Sequence, residues 1–167
     1  QAASVNNAGG NNNQNNNNQN NTDVNITSGK YSIGTYITGI EPGTGAADFV
    51  KNIAVSASGT VKLLTSSGSE NSGKIATGNK VAVYDASGNL KKTYDIVIYG
   101  DINGDGAVNA LDMIKLNRHI LGKGTLTGAY LEAADANRKG DGGNALDMII
   151  MKQTHTGQIK DIAELEM

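Results

Sequence analysis

From Tyr31 to Tyr99 the apolar residues come in short runs broken by turn-forming residues. Branched and aromatic side chains alternate with others from Tyr31 to Ile40. Further runs occur at Val61 to Leu64, Val81 to Tyr84 and Tyr94 to Tyr99. Glu41-Pro42-Gly43, Ser58-Gly59, Ser67-Gly68 and Ser87-Gly88-Asn89 lie between them. A period of two with turn residues at the breaks predicts strands joined by tight connections. One stretch departs from it. Ala46-Ala47 followed by Phe49, Val50 and Ile53 predicts a short helix over 44–53.

After Gly100 the period changes. Two clusters of Asp, Asn and Gly each run into a helical pattern, Ala110 to Leu121 and Ala145 to Thr154, with a shorter helical stretch, Thr127 to Ala134, between them. The segment Asn-Ala-Leu-Asp-Met-Ile begins at Asn109 and again at Asn144, 35 residues on, so this half of the chain is an internal repeat. Met113, Ile114, Leu116 and Ile120 are expected to pack against Met148, Ile149, Ile150 and Met151. The expected fold class is therefore α+β in two modules. A small β-rich module, sandwich or β-grasp-like, spans 23–99, and an all-α module spans 100–160, with a tail at 161–167.

Composition adds the remaining pieces. From Asn11 to Asn21 nine of eleven residues are Asn and two are Gln, which leaves nothing to offset the entropy of ordering; residues 1–22 are expected to be a flexible linker. The 14 basic and 16 acidic residues nearly balance, and no Lys/Arg cluster forms the basic face of a nucleic-acid binder. Cysteine is absent, which excludes disulfides and thiolate-held zinc. A small module without disulfides often needs another staple, and a metal is the obvious one. No apolar run is long enough to span a bilayer. The chain is expected to be a fragment of a longer secreted protein.

The acidic clusters specify which metal. Asp101, Asn103, Asp105, Asn109 and Asp112 stand at positions 1, 3, 5, 9 and 12 of a loop with Gly106 at position 6. Calcium is a hard cation that takes about six to eight oxygen ligands, and this is the spacing of a loop that wraps it. Ala107, at position 7, would offer its backbone carbonyl. The second loop departs from the pattern. Lys139 occupies position 5, and the interval from Asp135 to Asn144 is one residue longer. Three readings stay open: a longer loop in which Asp141 joins Asp135, Asn137 and Asp147; a register beginning at Asn137; or no calcium at this loop. Calcium is the expected cofactor, one ion in the first loop and a second if the second loop closes.

Two loop–helix units about 35 residues apart resemble the type I-like dockerin modules of cellulosome proteins and related bacterial surface proteins. The resemblance lies in Gly100 to Gly106, in Asn117-Arg118-His119-Ile120-Leu121-Gly122 and in Ala133-Ala134-Asp135-Ala136-Asn137. It implies two F-hand calcium units and calcium-dependent binding of a cohesin domain on a scaffold or cell surface. It also implies partner contacts at Ala110, Leu111, Asn117 and Arg118 in the first copy, and at Ala145, Leu146, Lys152 and Gln153 in the second. Such a module would be extracellular, held at a cell surface through its partner, in a protein that degrades polysaccharide. Because both copies carry Ala-Leu, one partner could be bound in either of two orientations. Residues 30–99 look like the small X modules that precede some dockerins, serving as a spacer.

The competing classes are weaker. An enzyme would need a catalytic constellation; the paired carboxylates sit at metal-ligand spacing, and His119 and His155 have no such partners. A calcium sensor would need a helix leading into the first loop, where Ile96 to Tyr99 reads as strand. A carbohydrate-binding module would stack sugars on exposed aromatic rings, and the β-rich stretch offers Tyr31, Tyr36, Tyr84, Tyr94 and Tyr99 but no Trp.

Overall fold

The computed structural model describes residues 24–155. The expected linker at 1–22 and tail at 161–167 lie outside them. The β-rich part contains β1 (Ile26–Thr27), β2 (Ser32–Ile33), β3 (Tyr36–Thr38), α1 (Ala46–Lys51), β4 (Ala54–Val55), β5 (Thr60–Leu64), β6 (Lys80–Tyr84) and β7 (Leu90–Ile96). The helical part contains α2 (Ala110–Ile120), α3 (Ala129–Ala134) and α4 (Ala145–His155).

One five-stranded sheet, in the order β2-β3-β7-β6-β5, carries the β-rich core. Its pairs are antiparallel except β3–β7, which is parallel. Strands β1 and β4 form a second sheet of two residues each. This mixed sheet with a helix is closer to the grasp-like expectation than to a sandwich, whose second sheet is here reduced to a short ribbon. The pairing follows from turn chemistry. Asp85 Oδ1 accepts from the amides of Ser87 and Asn89, both at 2.9 Å, and Gly88 takes φ +80°, which closes the β6–β7 hairpin. The alternating run Tyr31 to Ile40 is folded back on itself at Gly34, giving the hairpin β2–β3 rather than one strand.

Phe49, Ile37, Ile75, Val83 and Ile96 are fully buried in this core, and Phe49 stacks on Tyr31 at 5.0 Å between ring centroids. Burying each such side chain contributes about 1.5–3 kcal/mol. The last predicted strand starts and ends early, at Leu90 and Ile96; Val97 and Ile98 remain buried while the backbone turns toward the helices.

In the helical part α2 packs on α4 through Leu116 and Met151, joined by Ile102, Leu126, Ala134 and Ala136. Ile114, Ile120 and Ile149, expected in this core from their sequence positions, do not join it; they are exposed. Ile114 and Ile149 stand two residues from the buried Leu116 and Met151, about 200° round their helices, whereas Ile120, one turn beyond Leu116, is exposed at the end of α2.

Candidate metal centre

The first loop folds around two carboxylates that the solvent does not reach. Asp101 and Asp112 are both fully buried. Asp101 Oδ1 accepts from the amides of Gly104 and Asp105, at 2.9 and 3.0 Å. Its Oδ2 accepts from Gly106 at 3.1 Å and from Thr77 at 2.8 Å. Asp112 Oδ1 accepts from Ile102 and Asn103, and its Oδ2 from Asn109, all at 2.9 Å. Asn109 caps α2 by accepting from Leu111, and with Asp112 it forms a capping box. Asp112 thus both starts the helix and closes the loop. Gly104 and Gly106 have φ +77° and +80°, which an L side chain adopts only with strain.

The second loop repeats this pattern when counted from Asp135. Asp135 accepts from Lys139 and Gly140, as Asp101 does from Asp105 and Gly106. Asn137 Oδ1 accepts from Lys139, as Asn103 Oδ1 does from Asp105, both at 2.8 Å. Asp147 accepts from Asn137 and Asn144, and Asn144 from Leu146, each the counterpart of a bond in the first loop. Arg138 and Gly140 take φ +55° and +73°, in the places of Gly104 and Gly106. The extra residue therefore lies within 141–143, where Gly142 takes φ +72°. A register beginning at Asn137 does not reproduce these correspondences. Asp135, Asp141 and Asp147 each bring one carboxylate oxygen within 4.8 Å of the others.

The donor set suits a hard divalent cation. The side chains facing each loop are carboxylates and amides, with no sulfur or imidazole among them. Burial pushes the carboxyl groups of Asp101, Asp112 and Asp147 above the usual carboxylate range, against amide hydrogen bonds that pull them down. Asp112 raises Asp101 further, and Asp135 and Asp141 raise Asp147. Buried carboxylates that repel one another are stabilised by a cation between them. Ala107 is exposed beside the first loop, its amide donating to Asp105 Oδ1 at 2.9 Å.

The residues expected to meet a partner lie on the outer faces of α2 and α4. Leu111 and Leu146 are 60% and 56% exposed, and the neighbouring Ile114 and Ile149 are 56% and 53% exposed. Ala110, Asn117, Arg118, Ala145 and Lys152 are exposed, and Gln153 is half-buried. A shallow groove between the helices is lined by Met113, Ile114, Asn117, Met148 and Lys152, so the two copies share one continuous face. Ile114 and Ile149 were missed as surface residues, although their identity in both copies was a signal. His119 accepts from the Leu126 amide through Nδ1 at 3.3 Å, a packing role.

Residues 99–154 match the family of the Dockerin type I domain, about a third of the 167-residue chain. Dockerin domains bind calcium and are non-catalytic modules that dock onto cohesin domains. No curated protein matches the chain. None of the described helices is long and apolar enough to cross a membrane.

Proposed function

We propose that residues 100–155 are a calcium-loaded docking module that anchors a secreted protein to a cohesin domain on a scaffold or cell surface. The observation that carries this reading is the paired exposure of Leu111-Ile114 and Leu146-Ile149 at equivalent places on helices that each start from an acidic loop. Large apolar side chains held in water at two matched positions mark a protein interface. In the first loop Asp101, Asn103, Asp105, Asn109 and Asp112 would hold calcium, with the Ala107 carbonyl. In the second, Asp135, Asn137, Asp141 and Asp147 would hold it, with Asp141 compensating for Lys139. The ion's role is structural: it fixes each loop, and the loop fixes the start of the helix that carries the contact residues.

The flanking pairs differ, Asn117-Arg118 against Lys152-Gln153, so the two copies offer one partner two unequal orientations. Calorimetric binding to a panel of purified cohesin domains, with calcium and with chelator, tests the reading. Leu111→Asp and Leu146→Asp alone should each weaken binding by less than about tenfold, and the double change by more than about a hundredfold. Abolition by either single change would rule out the two orientations. Absence of binding to every cohesin would remove the docking reading.

The β-rich module serves as a rigid spacer in this proposal. None of its tyrosines is exposed: Tyr31 and Tyr94 are buried, and Tyr36, Tyr84 and Tyr99 are half-buried. Flat stacking of a sugar ring needs an open aromatic face, which these residues do not offer.

A further inference from the structure

The first acidic loop is enclosed partly by the β-rich module. Thr77, in the connection leading to β6, is 1% exposed, and its amide donates to Asp101 Oδ2 at 2.8 Å. Its hydroxyl locks that amide in place, donating to the Ile98 carbonyl at 3.2 Å and accepting from the Ile98 amide at 3.1 Å. On another side, the Gly43 amide donates to the Gly106 carbonyl at 2.9 Å. The approach is close enough that a Cβ on Gly104 would lie 2.9 Å from the Thr77 carbonyl, and one on Gly106 would overlap the Ile75 carbonyl. The second loop has a different setting. The bonds that reach Asp135 and Asp147 come from Asn137, Lys139, Gly140 and Asn144, all in the same loop. A Cβ on Gly140 would meet nothing within 4 Å.

We infer that Thr77 is a positioning residue for the first calcium loop, and that docking of the β-rich module and calcium binding at Asp101 are thermodynamically linked, whereas the second loop binds its ion independently of that module. The inference rests on Asp101 being a calcium ligand, as proposed above. A donor fixed against one carboxylate oxygen holds that group in its binding orientation before the ion arrives, so less order must be imposed on binding. Linkage is reciprocal: whatever the docked module adds to calcium affinity, calcium adds to the docking.

The test uses the full chain with Thr77→Val and Thr77→Ser. Valine keeps the shape but loses both bonds to Ile98, and serine keeps the hydroxyl. Calorimetric titration identifies the first-loop event as the one that Asp101→Asn abolishes. Thr77→Val should weaken that event by about tenfold and leave the other unchanged, with Thr77→Ser restoring the affinity. Calcium should also slow hydrogen exchange at the Thr77 amide and along β6 of the unmutated chain, a measurement that stands even if the valine variant fails to fold. Equal affinities in wild type and Thr77→Val, equal weakening of both events, or exchange at Thr77 unaffected by calcium would each overturn the linkage while leaving Asp101 a ligand. Two events that both survive Asp101→Asn would instead refute the ligand assignment, and the linkage with it.

Discussion

The loop at 101–112 is wedged between two modules, with Thr77 and Gly43 of the β-rich part bonded to it, whereas the loop at 135–147 satisfies its carboxylates from its own backbone. The second loop faces a shallow groove lined by Tyr36, Leu131 and Glu132 as well as its own Asp135, Gly140 and Gly142. Much of the hydrogen-bond pattern is shared, but Asp101 and Asp112 accept from more amides than Asp135 and Asp147, and the surroundings differ. The second loop has open space beside Gly140, next to the lysine at position 5, whereas the first is pressed against the β-rich module at both Gly104 and Gly106. The regular first loop and the irregular second are what this difference in surroundings would permit.

The largest expected effect comes from removing the first carboxylate of each loop. In calcium, Asp101→Ala strips four amides of their acceptor and, on the proposed reading, removes a ligand, and should cost about 3–5 kcal/mol. Asp135→Ala strips two amides in a less enclosed setting and should cost about half as much. Chemical denaturation of both variants measures the pair. Equal losses would mean that the β-rich wall adds nothing.

The glycines sharpen the same contrast at smaller cost. Gly140→Ala meets only the strain of a positive φ, about 1 kcal/mol. Gly106→Ala meets that strain and the Ile75 carbonyl together, so it should cost at least about 2 kcal/mol more. Thermal unfolding of the two variants checks the order, and a reversal would place the tight contact at the wrong loop.

Much of this was legible in the residues. The spacing of Asp101, Asn103, Asp105, Asn109 and Asp112 marked one loop, and the repeat of Asn-Ala-Leu-Asp-Met-Ile marked a second loop and helix despite Lys139. The helices α2 and α4 start where expected, because Asn109 with Asp112, and Asn144 with Asp147, bond the first turn as well as the loop. Position alone did not separate Leu116 from Ile114. Both are apolar and two residues apart, and only the packing of α2 on α4 decides that Leu116 is buried and Ile114 exposed. Thr77 carried no signal either. Its contact with Asp101 spans 24 residues and runs through a backbone amide, which every residue but proline has. The strands β1 and β4 were missed because two residues are too few to show a period.

The module junction adds a further constraint. Tyr99 donates to Glu132 at 3.0 Å, and its hydroxyl is pushed up to about 12, first by burial and then by that carboxylate. The Gly100 amide donates to the Ala133 carbonyl at 2.8 Å, while Val97 packs on Ala129 and Ala133. The chain therefore passes from sheet to helices without a free linker.

Calcium titration of the chelator-stripped full chain by calorimetry, with circular dichroism before and after, tests the central claim most directly. Two bound ions with a gain of helical signal are the predicted result. No binding, or binding without any change in structure or stability, would contradict the account.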